Sequence, residues 1–180
     1  MEAGALNARA GARIGKAVGK AALVARPAPM RAGTQLRIGF DLLVPRGRPI
    51  NSLQLVDIEC ATCGIDGNPG VRLYLRHGRL RIDRSKIGVR HAWSDDTAPA
   101  IVAGRWHRLE LDLLLHADAR GSATVRLDNA IVLVGSGLTL HPGGRAQADR
   151  IQIGITANSN PIAAHARFDN IAIVALPPKR

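Results

Sequence analysis

The sequence is poor in aromatic residues and has no long hydrophobic run. Only 3% of its 180 residues are aromatic, so a core must be built from Leu, Ile, Val and Ala. No apolar stretch approaches the ~20 residues that a helix needs to cross a bilayer. The opening, Met1 to Ala5, lacks the basic and then hydrophobic layout of a signal peptide. We therefore expect a cytoplasmic protein, or a fragment or mis-started version of an exported one, with no membrane span.

Cysteine is equally scarce, and the two cysteines lie together in Cys60-Ala61-Thr62-Cys63. A thioredoxin-like site would place this spacing at the start of a helix in a β-α-β unit, and no such pattern surrounds it. A structural zinc site needs four ligands, and the nearest partner, His77, is isolated. Two alternatives stay open: a local disulfide that pins the following loop, and two reduced cysteines.

Acidic residues are almost missing from the first part of the chain. Residues 1–40 contain seven Lys and Arg against one Glu, within a net charge of +11. Such a basic arm can attract an acidic polymer, but a solvated tail is the simpler interpretation. Nucleic acid is not expected as a partner, because the chain has no nucleic-acid-binding motif or aromatic stacking platform. Residues 20–26 fit the first strand of a sheet, although residues 11–24 also fit a small basic amphipathic helix.

Short stretches of alternating apolar and polar residues, bounded by Gly, Pro, Asn and Asp, predict about ten β-strands. The clearest cover residues 34–44 and 105–116. Asp128-Asn129 predicts a hairpin turn between two of the strands. Residues 86–103, which include Trp93, fit a long loop or irregular edge. The sequence predicts one domain at 20–176, between a basic N-terminal tail at 1–19 and a short C-terminal tail at 177–180.

The last strand contains a change of phase. Apolar positions alternate through Phe168 and resume out of step at Ile171 and Ile173. Because the period of a strand is two, a one-residue shift predicts a β-bulge at Asp169-Asn170.

Residues 71–83 predict a hairpin that turns at His77-Gly78. The predicted core-facing pairs are Leu75 with Leu80 and Leu73 with Ile82, and the outward pairs are Arg76 with Arg79, Tyr74 with Arg81, and Arg72 with Asp83. Two arginines directly opposite each other repel, which favours an anion at that place. Guanidinium groups bind carboxylates and sulfates through two parallel hydrogen bonds. The alternative is a solvated arginine-rich face with one internal salt bridge between Arg72 and Asp83.

Three segments resemble the last strands of a concanavalin A-like, laminin G-like jelly roll. They are Trp106-His107, the hairpin at 125–130, and Phe168-Asp169-Asn170. The resemblance covers about residues 20–175 and implies an all-β fold, a two-sheet antiparallel jelly-roll sandwich. Similar domains include lectins, carbohydrate-binding modules, laminin G-like adhesion domains, glucanases and polysaccharide lyases, which favours an extracellular or cell-surface location.

The resemblance also bears on cofactors. In several similar jelly rolls an aspartate on the last strand holds a structural calcium ion, and Asp169 has that position here. A hydrogen bond within the bulge or turn is the alternative role for Asp169. No other cofactor is expected.

The expected function is that of a non-catalytic module that binds an acidic polysaccharide. The candidate binding residues are Arg72, Tyr74, Arg76, Arg79 and Arg81, with Trp93 as a loop platform. A purely structural or adhesion domain is one alternative.

Enzymes are the other alternative. Glucanases of this fold resemble the pattern Glu-x-Asp-x-Glu, but residues 55–59 carry Leu55 at the position of the nucleophile. Asp57 and Glu59 would then serve a turn, a salt bridge or a cation. Polysaccharide lyases need a proton-abstracting Tyr or His and a group that neutralises the uronate carboxylate. Tyr74 among its arginines suits that chemistry, although the strand motifs of those lyases are absent.

Overall fold

The computed structural model describes residues 4–178, which form fourteen β-strands and one short 3-10 helix (Ser85–Ile87). The strands are β1 (Leu6–Ala10), β2 (Gly19–Ala25), β3 (Met30–Arg31), β4 (Gln35–Leu43), β5 (Leu53–Glu59), β6 (Gly70–Arg76), β7 (Arg79–Asp83), β8 (Trp93–Ser94), β9 (Trp106–Leu114), β10 (Ser122–Leu127), β11 (Ala130–Ser136), β12 (Gln147–Ala148), β13 (Arg150–Asn158) and β14 (Ala164–Leu176). No helix in this part of the chain is long and apolar enough to span a membrane.

Two six-stranded antiparallel sheets pack face to face. Sheet 1 has the strand order β1-β14-β4-β9-β10-β11, and sheet 2 has the order β2-β13-β5-β6-β7-β8. The short strands β3 and β12 pair with each other beside the two sheets. This arrangement confirms the predicted all-β, two-sheet antiparallel sandwich.

The core lies between the sheets and consists mainly of aliphatic side chains. Alternate residues of β4 and β9, such as Leu36, Ile38 and Leu109, are fully buried. The two phenylalanines, Phe40 and Phe168, meet with their ring centroids 5.5 Å apart. Alternation along β4 and β9 places one side of these strands against the core and leaves the other side mainly for polar groups.

The irregular features predicted in the strands are present. The pairing of β14 with β4 shifts register between Asp169 and Ala172, and Asn170 has a positive φ of 47°. The hairpin between β10 and β11 turns at Asp128 and Asn129, which both have positive φ. Asp and Asn tolerate this conformation better than other non-glycine residues. The bulge and the turn are therefore confirmed.

The beginning of the chain differs from the predicted tail. Leu6 to Ala10 form β1, which pairs with β14 from Leu6 opposite Phe168 to Ala10 opposite Ala164. Apolar residues alternate with Asn7 and Arg9 here, and Ala8 and Ala10 are buried. The alternation is short and built partly of alanine, so it is a weaker signal in the sequence than the basic charge of the same segment. The parts of the two predicted tails at 1–3 and 179–180 lie outside the described residues.

Two alternatives left open by the sequence are decided. Residues 19–25 form the strand β2 and not part of a helix. Cys60 and Cys63 are joined in a disulfide at the end of β5, with their Cα atoms 5.7 Å apart. The carboxylate of Asp149 accepts a hydrogen bond of 2.6 Å from the backbone N–H of Ala61, so this loop is also held against the start of β13.

Candidate functional site

The hairpin of β6 and β7 has the predicted register at every pair. Leu73 lies opposite Ile82, Tyr74 opposite Arg81, and Arg72 opposite Asp83. His77 and Gly78 both have positive φ, as a two-residue turn with the twist of a hairpin requires. The arginines and Tyr74 therefore share the outer face of sheet 2, while the leucines face the core.

Most of these arginines already have partners within the protein. Arg72 forms a salt bridge of 2.5 Å with Asp83 and donates a hydrogen bond of 3.0 Å to Ser85. Arg81 pairs with Asp96, and Nε of Arg79 donates to the carbonyl oxygen of Ala98. The predicted salt bridge between Arg72 and Asp83 is present. Arg76 points into solvent opposite Arg79, so it is the arginine of this hairpin most open to a ligand.

The structure does not bring Trp93 to this face. Trp93 lies in β8 opposite Ile82, on the side of sheet 2 that faces the core. The guanidinium group of Arg84 lies 3.8 Å from the centre of its ring. The ring also packs so closely on Gly135 that a Cβ atom there would come within 2.3 Å of it. Trp93 therefore closes an edge of the sandwich, and the predicted loop platform is not formed.

Sheet 2 carries a further group of polar residues beside the arginines. We call its outer surface the polar face, and its residues are Gln54, Asp57, Glu59, Arg72, Tyr74, Arg81, Asp83, Gln152 and Thr156. Although it is the outer surface, Asp57 and Glu59 are only 4% and 3% exposed. Neighbouring side chains therefore enclose these carboxylates. Gln152 was not singled out in the sequence, although it interrupts the buried residues Ile151 and Ile153 of β13 and so had to face outward.

Glu59 is a buried acid of the polar face with partners at both carboxylate oxygens. Its two carboxylate oxygens accept hydrogen bonds of 2.6 Å from Nζ of Lys86 and 3.0 Å from Nε2 of Gln152. Nε of Arg150 lies 4.0 Å from the second oxygen. Glu59 thus serves a salt bridge, one of the roles that the sequence allowed for it.

Asp57 occupies the centre of the polar face and is less well compensated. It lies in register between Gln152 of β13 and Arg72 of β6, and Thr156 donates a hydrogen bond of 2.9 Å to its carboxylate. Burial and the nearby charge of Glu59 raise the pKa of Asp57, against smaller opposite effects of its hydrogen-bond donor and nearby cations. A carboxyl group in this position holds a proton to a higher pH than an exposed aspartate does.

Tyr74, the only tyrosine, lies in the next row of the polar face. It is paired with Gln54 on one side and with Arg81 on the other. Arg72 is two residues earlier on the same strand and points to the same side. The face therefore combines a phenol, guanidinium groups and a carboxyl group with a raised pKa, which together can bind an acidic polymer and move a proton.

Asp169, the candidate calcium ligand, takes part in the bulge itself. Its Oδ1 accepts a hydrogen bond of 2.8 Å from the backbone N–H of Asn170. Arg108 brings a positive charge next to the same bulge, 3.4 Å from Asp41 and 3.2 Å from the carbonyl oxygen of Asn170. Within residues 4–178, no group of three or more His, Cys, Asp or Glu side chains is arranged to hold a metal ion. A calcium ion at Asp169 stays a prediction.

Comparison with known proteins finds the fold but no related sequence. No protein-family model matches the chain, and no curated protein sequence matches it. The endo-β-1,4-glucuronan lyase of the fungus Trichoderma reesei is similar with a TM-score of 0.69 and 16% identity, over 94% of this chain and 80% of that one. Alginate lyase Aly36B is similar with a TM-score of 0.69 and 11% identity, over 100% and 84% of the two chains. Alginate lyase AlgAT5, from polysaccharide lyase family 7, has a TM-score of 0.66 and 10% identity, over 96% and 78%.

These similarities confirm the jelly-roll sandwich and correct the expected function. At such low identity the likeness is one of fold. Glucuronan and alginate lyases are enzymes, so the comparison contradicts the expectation of a non-catalytic binding module and favours the lyase alternative. The lectin and laminin G-like parts of the resemblance are not confirmed.

Proposed function

We propose that this protein is a polysaccharide lyase that cleaves a uronate-containing glycan bound along the polar face. The observation that carries the proposal is the position of Tyr74. The only tyrosine of the chain lies half-buried on the polar face, in register with Arg81 and on the same side as Arg72. The fold is shared with enzymes that act on glucuronan and alginate, both of which are polymers of uronic acids.

The reaction is a β-elimination. A base removes the proton at C5 of a uronate, the electron pair forms a double bond between C4 and C5, and the bond from C4 to the glycosidic oxygen breaks. The leaving oxygen takes up a proton. The C5 proton becomes acidic enough only when the charge of the adjacent carboxylate is neutralised, so a lyase must supply both a proton-transfer group and a neutralising group.

In this proposal Tyr74 transfers the proton, and its neighbours neutralise the substrate carboxylate. The salt bridge between Arg81 and Asp96 is easily exchanged, because the Asp96 side chain is 76% exposed and surface ion pairs contribute little. Asp57 is only 4% exposed, so the neutralising groups are the guanidinium groups of the polar face and not this carboxyl group.

The proposal also accounts for the expected partner and location. An acidic polysaccharide would be attracted by a chain of net charge +11. Large glycans of this kind occur outside cells, and the disulfide between Cys60 and Cys63 would persist in that oxidising environment. We therefore propose an extracellular or cell-surface protein.

The test is the variant Tyr74→Phe, assayed on glucuronan, alginate and pectate by the ultraviolet absorbance of the unsaturated uronate product. We expect the wild-type protein to cleave at least one polymer and the variant to lose at least 100-fold in rate, because general acid–base groups contribute about 10²–10⁴-fold. Trp106→Phe, which changes an exposed aromatic residue on sheet 1, is the matched control and should keep full activity.

Binding is measured separately by affinity electrophoresis in gels that contain each polymer or a neutral β-glucan. Tyr74→Phe should be retarded as much as the wild type by the cleaved polymer, since the cations of the polar face remain. Retardation should persist in moderate salt, which weakens diffuse attraction more than a fitted site. Cleavage by Tyr74→Phe at the wild-type rate, or no cleavage of any uronate polymer by the wild type, would contradict the proposal.

A further inference from the structure

We infer that the outer face of sheet 1 carries a second binding site, for a tetrahedral oxyanion such as a sulfate or phosphate group, in the cavity beside His165. The site lies on the opposite sheet from Tyr74. It does not depend on the proposed lyase activity.

The cavity is formed where β1 meets β14. Its volume is about 340 Å³, which is ample for a small ion and several waters because liquid water occupies about 30 Å³ per molecule. Three basic residues line it, namely Arg9, Arg48 and His165, and the remaining lining residues are alanine and glycine. Small residues leave the ends of the basic side chains as the polar groups that a ligand would meet.

Strand pairing explains why the basic residues converge. Arg9 of β1 lies directly opposite His165 of β14, and Arg167 follows two residues later on the same outer side. Their neighbours Ala8, Ala10, Ala164 and Ala166 are buried on the core side. Arg48 reaches the cavity from the connection between β4 and β5. Three separate parts of the chain thus bring positive charge to one place.

No acidic residue balances this charge within the described residues. No carboxylate lines the cavity, and neither Arg9, Arg48 nor Arg167 belongs to any salt bridge formed within residues 4–178. Like charges that are held together by a fold repel one another, and a bound anion removes that repulsion.

His165 supplies an independent observation. Its Nε2 atom is buried without a hydrogen-bond partner among the described residues. Burial and the charges of Arg9, Arg48 and Arg167 lower the pKa of His165, which disfavours the imidazolium in the free protein. An anion would accept a hydrogen bond from the protonated ring and would offset the three arginines, which satisfies the buried nitrogen.

The number and charge of the donors indicate the class of ligand. Two guanidinium groups, from Arg9 and Arg48, and the imidazole of His165 line the same cavity. A sulfate or phosphate group offers acceptor oxygens in four directions and carries enough charge to balance several cations. A carboxylate has two oxygens in one plane and a single charge, so it matches this arrangement less well.

The experiment follows the His165 ring signals by NMR while inorganic sulfate is added at constant ionic strength, with chloride as the balancing ion. His165→Gln identifies the signals. We expect saturable binding and a rise in the pKa of His165. Because a bound anion favours the imidazolium, sulfate must bind more tightly as the pH falls, by up to about tenfold for each unit by which the pKa rises.

Two variants and a matched control test the residues. Arg9→Gln and Arg48→Gln should each weaken sulfate binding by about fivefold or more, since each removes a charge-assisted hydrogen bond. Arg90→Gln removes an equal charge from an exposed position in the loop before β8 and should leave binding unchanged. Equal weakening by all three variants, or a pKa of His165 that does not respond to sulfate, would overturn the inference.

Titrations with other anions distinguish the possible ligands. Acetate at the same ionic strength should bind at least tenfold more weakly than sulfate, and equal binding would overturn the preference for a tetrahedral group. Inorganic phosphate should bind like sulfate. A heparin-derived oligosaccharide that binds more tightly than inorganic sulfate would identify a sulfated glycan as the source of the group, whereas weaker binding would identify the free ion.

Discussion

At the scale of single residues, Asp57 shows what the polar face does to a side chain. Its strand position was clear from the sequence, because Asp57 lies between the apolar residues Val56 and Ile58 and so faces away from the core. The environment of its side chain could not be predicted from the sequence. Gln152 and Thr156 come from a strand about a hundred residues later in the chain, and they are the groups that enclose it.

This environment leads to a prediction about pH. The folded protein raises the pKa of Asp57, so it binds this proton more tightly than the unfolded chain does. Stability from this group is therefore present below the usual aspartate pKa and is lost as the pH rises through the raised value. As the pH rises from about 4 to about 7, the free energy of unfolding of Asp57→Asn should therefore increase relative to that of the wild type, as measured by urea denaturation.

Asp118 is a suitable control, because its pKa is shifted in the opposite direction to that of Asp57. Its pKa is lowered to about 2, chiefly by hydrogen bonds from Arg120. That stabilisation is already complete above the usual aspartate pKa, so the difference between Asp118→Asn and the wild type should stay constant over the same range. A constant difference for Asp57→Asn as well would show that Asp57 is not perturbed by its surroundings.

At the scale of elements, the hairpin of β6 and β7 was the part most completely predictable from the sequence. A two-residue turn sets the register of its strands, and alternation then assigns every side chain to a face. Gly78 is central to the turn. Its N–H donates to the carbonyl oxygen of Ile50, and its own carbonyl oxygen accepts from the N–H of Ile101, so the turn is also tied to two loops.

We predict that Gly78→Ala destabilises the protein while His77→Asn does not. Gly78 has a φ of 75°, and an added Cβ would lie 3.1 Å from Cβ of Ala100. A left-handed conformation costs a side chain about 1–2 kcal/mol, and the close contact adds to that cost. Asn tolerates the φ of 51° at position 77, so His77→Asn should stay within about 0.5 kcal/mol of the wild type.

Chemical denaturation monitored by circular dichroism measures both variants. A Gly78→Ala protein as stable as the wild type would mean that the turn can change its type without loss. The register of the outward pairs, and with it the position of Tyr74 opposite Arg81, would then depend on the sheet and not on the turn.

At the scale of the whole molecule, the main feature is an excess of positive charge that the fold distributes over both sheets. The basic segment at the start of the chain is not a separate arm, because β1 and β2 are edge strands of sheet 1 and sheet 2. Self-repulsion of this kind destabilises the compact state and is screened by salt.

The melting temperature Tm should therefore rise when sodium chloride is increased from about 0.01 M to about 0.15 M, since the screening length falls from about 30 Å to about 8 Å. A variant with the exposed residues Arg31 and Arg90 both changed to Gln should show a smaller rise. Differential scanning calorimetry provides the measurement. A Tm that falls with salt would mean that the salt bridges of the surface outweigh its repulsion.

Prediction from the sequence succeeded where the information is local. The turn at Asp128-Asn129, the bulge at Asp169-Asn170 and the faces of the hairpin all follow from the order of neighbouring residues. Prediction failed for β1, because its alternation is short and alanine-rich. It also failed for Trp93. Its partner Arg84 lies close in sequence, but Gly135, on which the ring packs, belongs to the other sheet.

The sequence by itself therefore determined that this is an all-β sandwich with an arginine-rich hairpin, because period-two patterns and turn residues act over a few positions. Only the tertiary structure decided which distant strands became neighbours. The pairing of β13 with β5 brought Gln152 within hydrogen-bond distance of Glu59, and the pairing of β1 with β14 placed Arg9 opposite His165. Contacts of this kind depend on the packing of both sheets around one core, which no local pattern encodes.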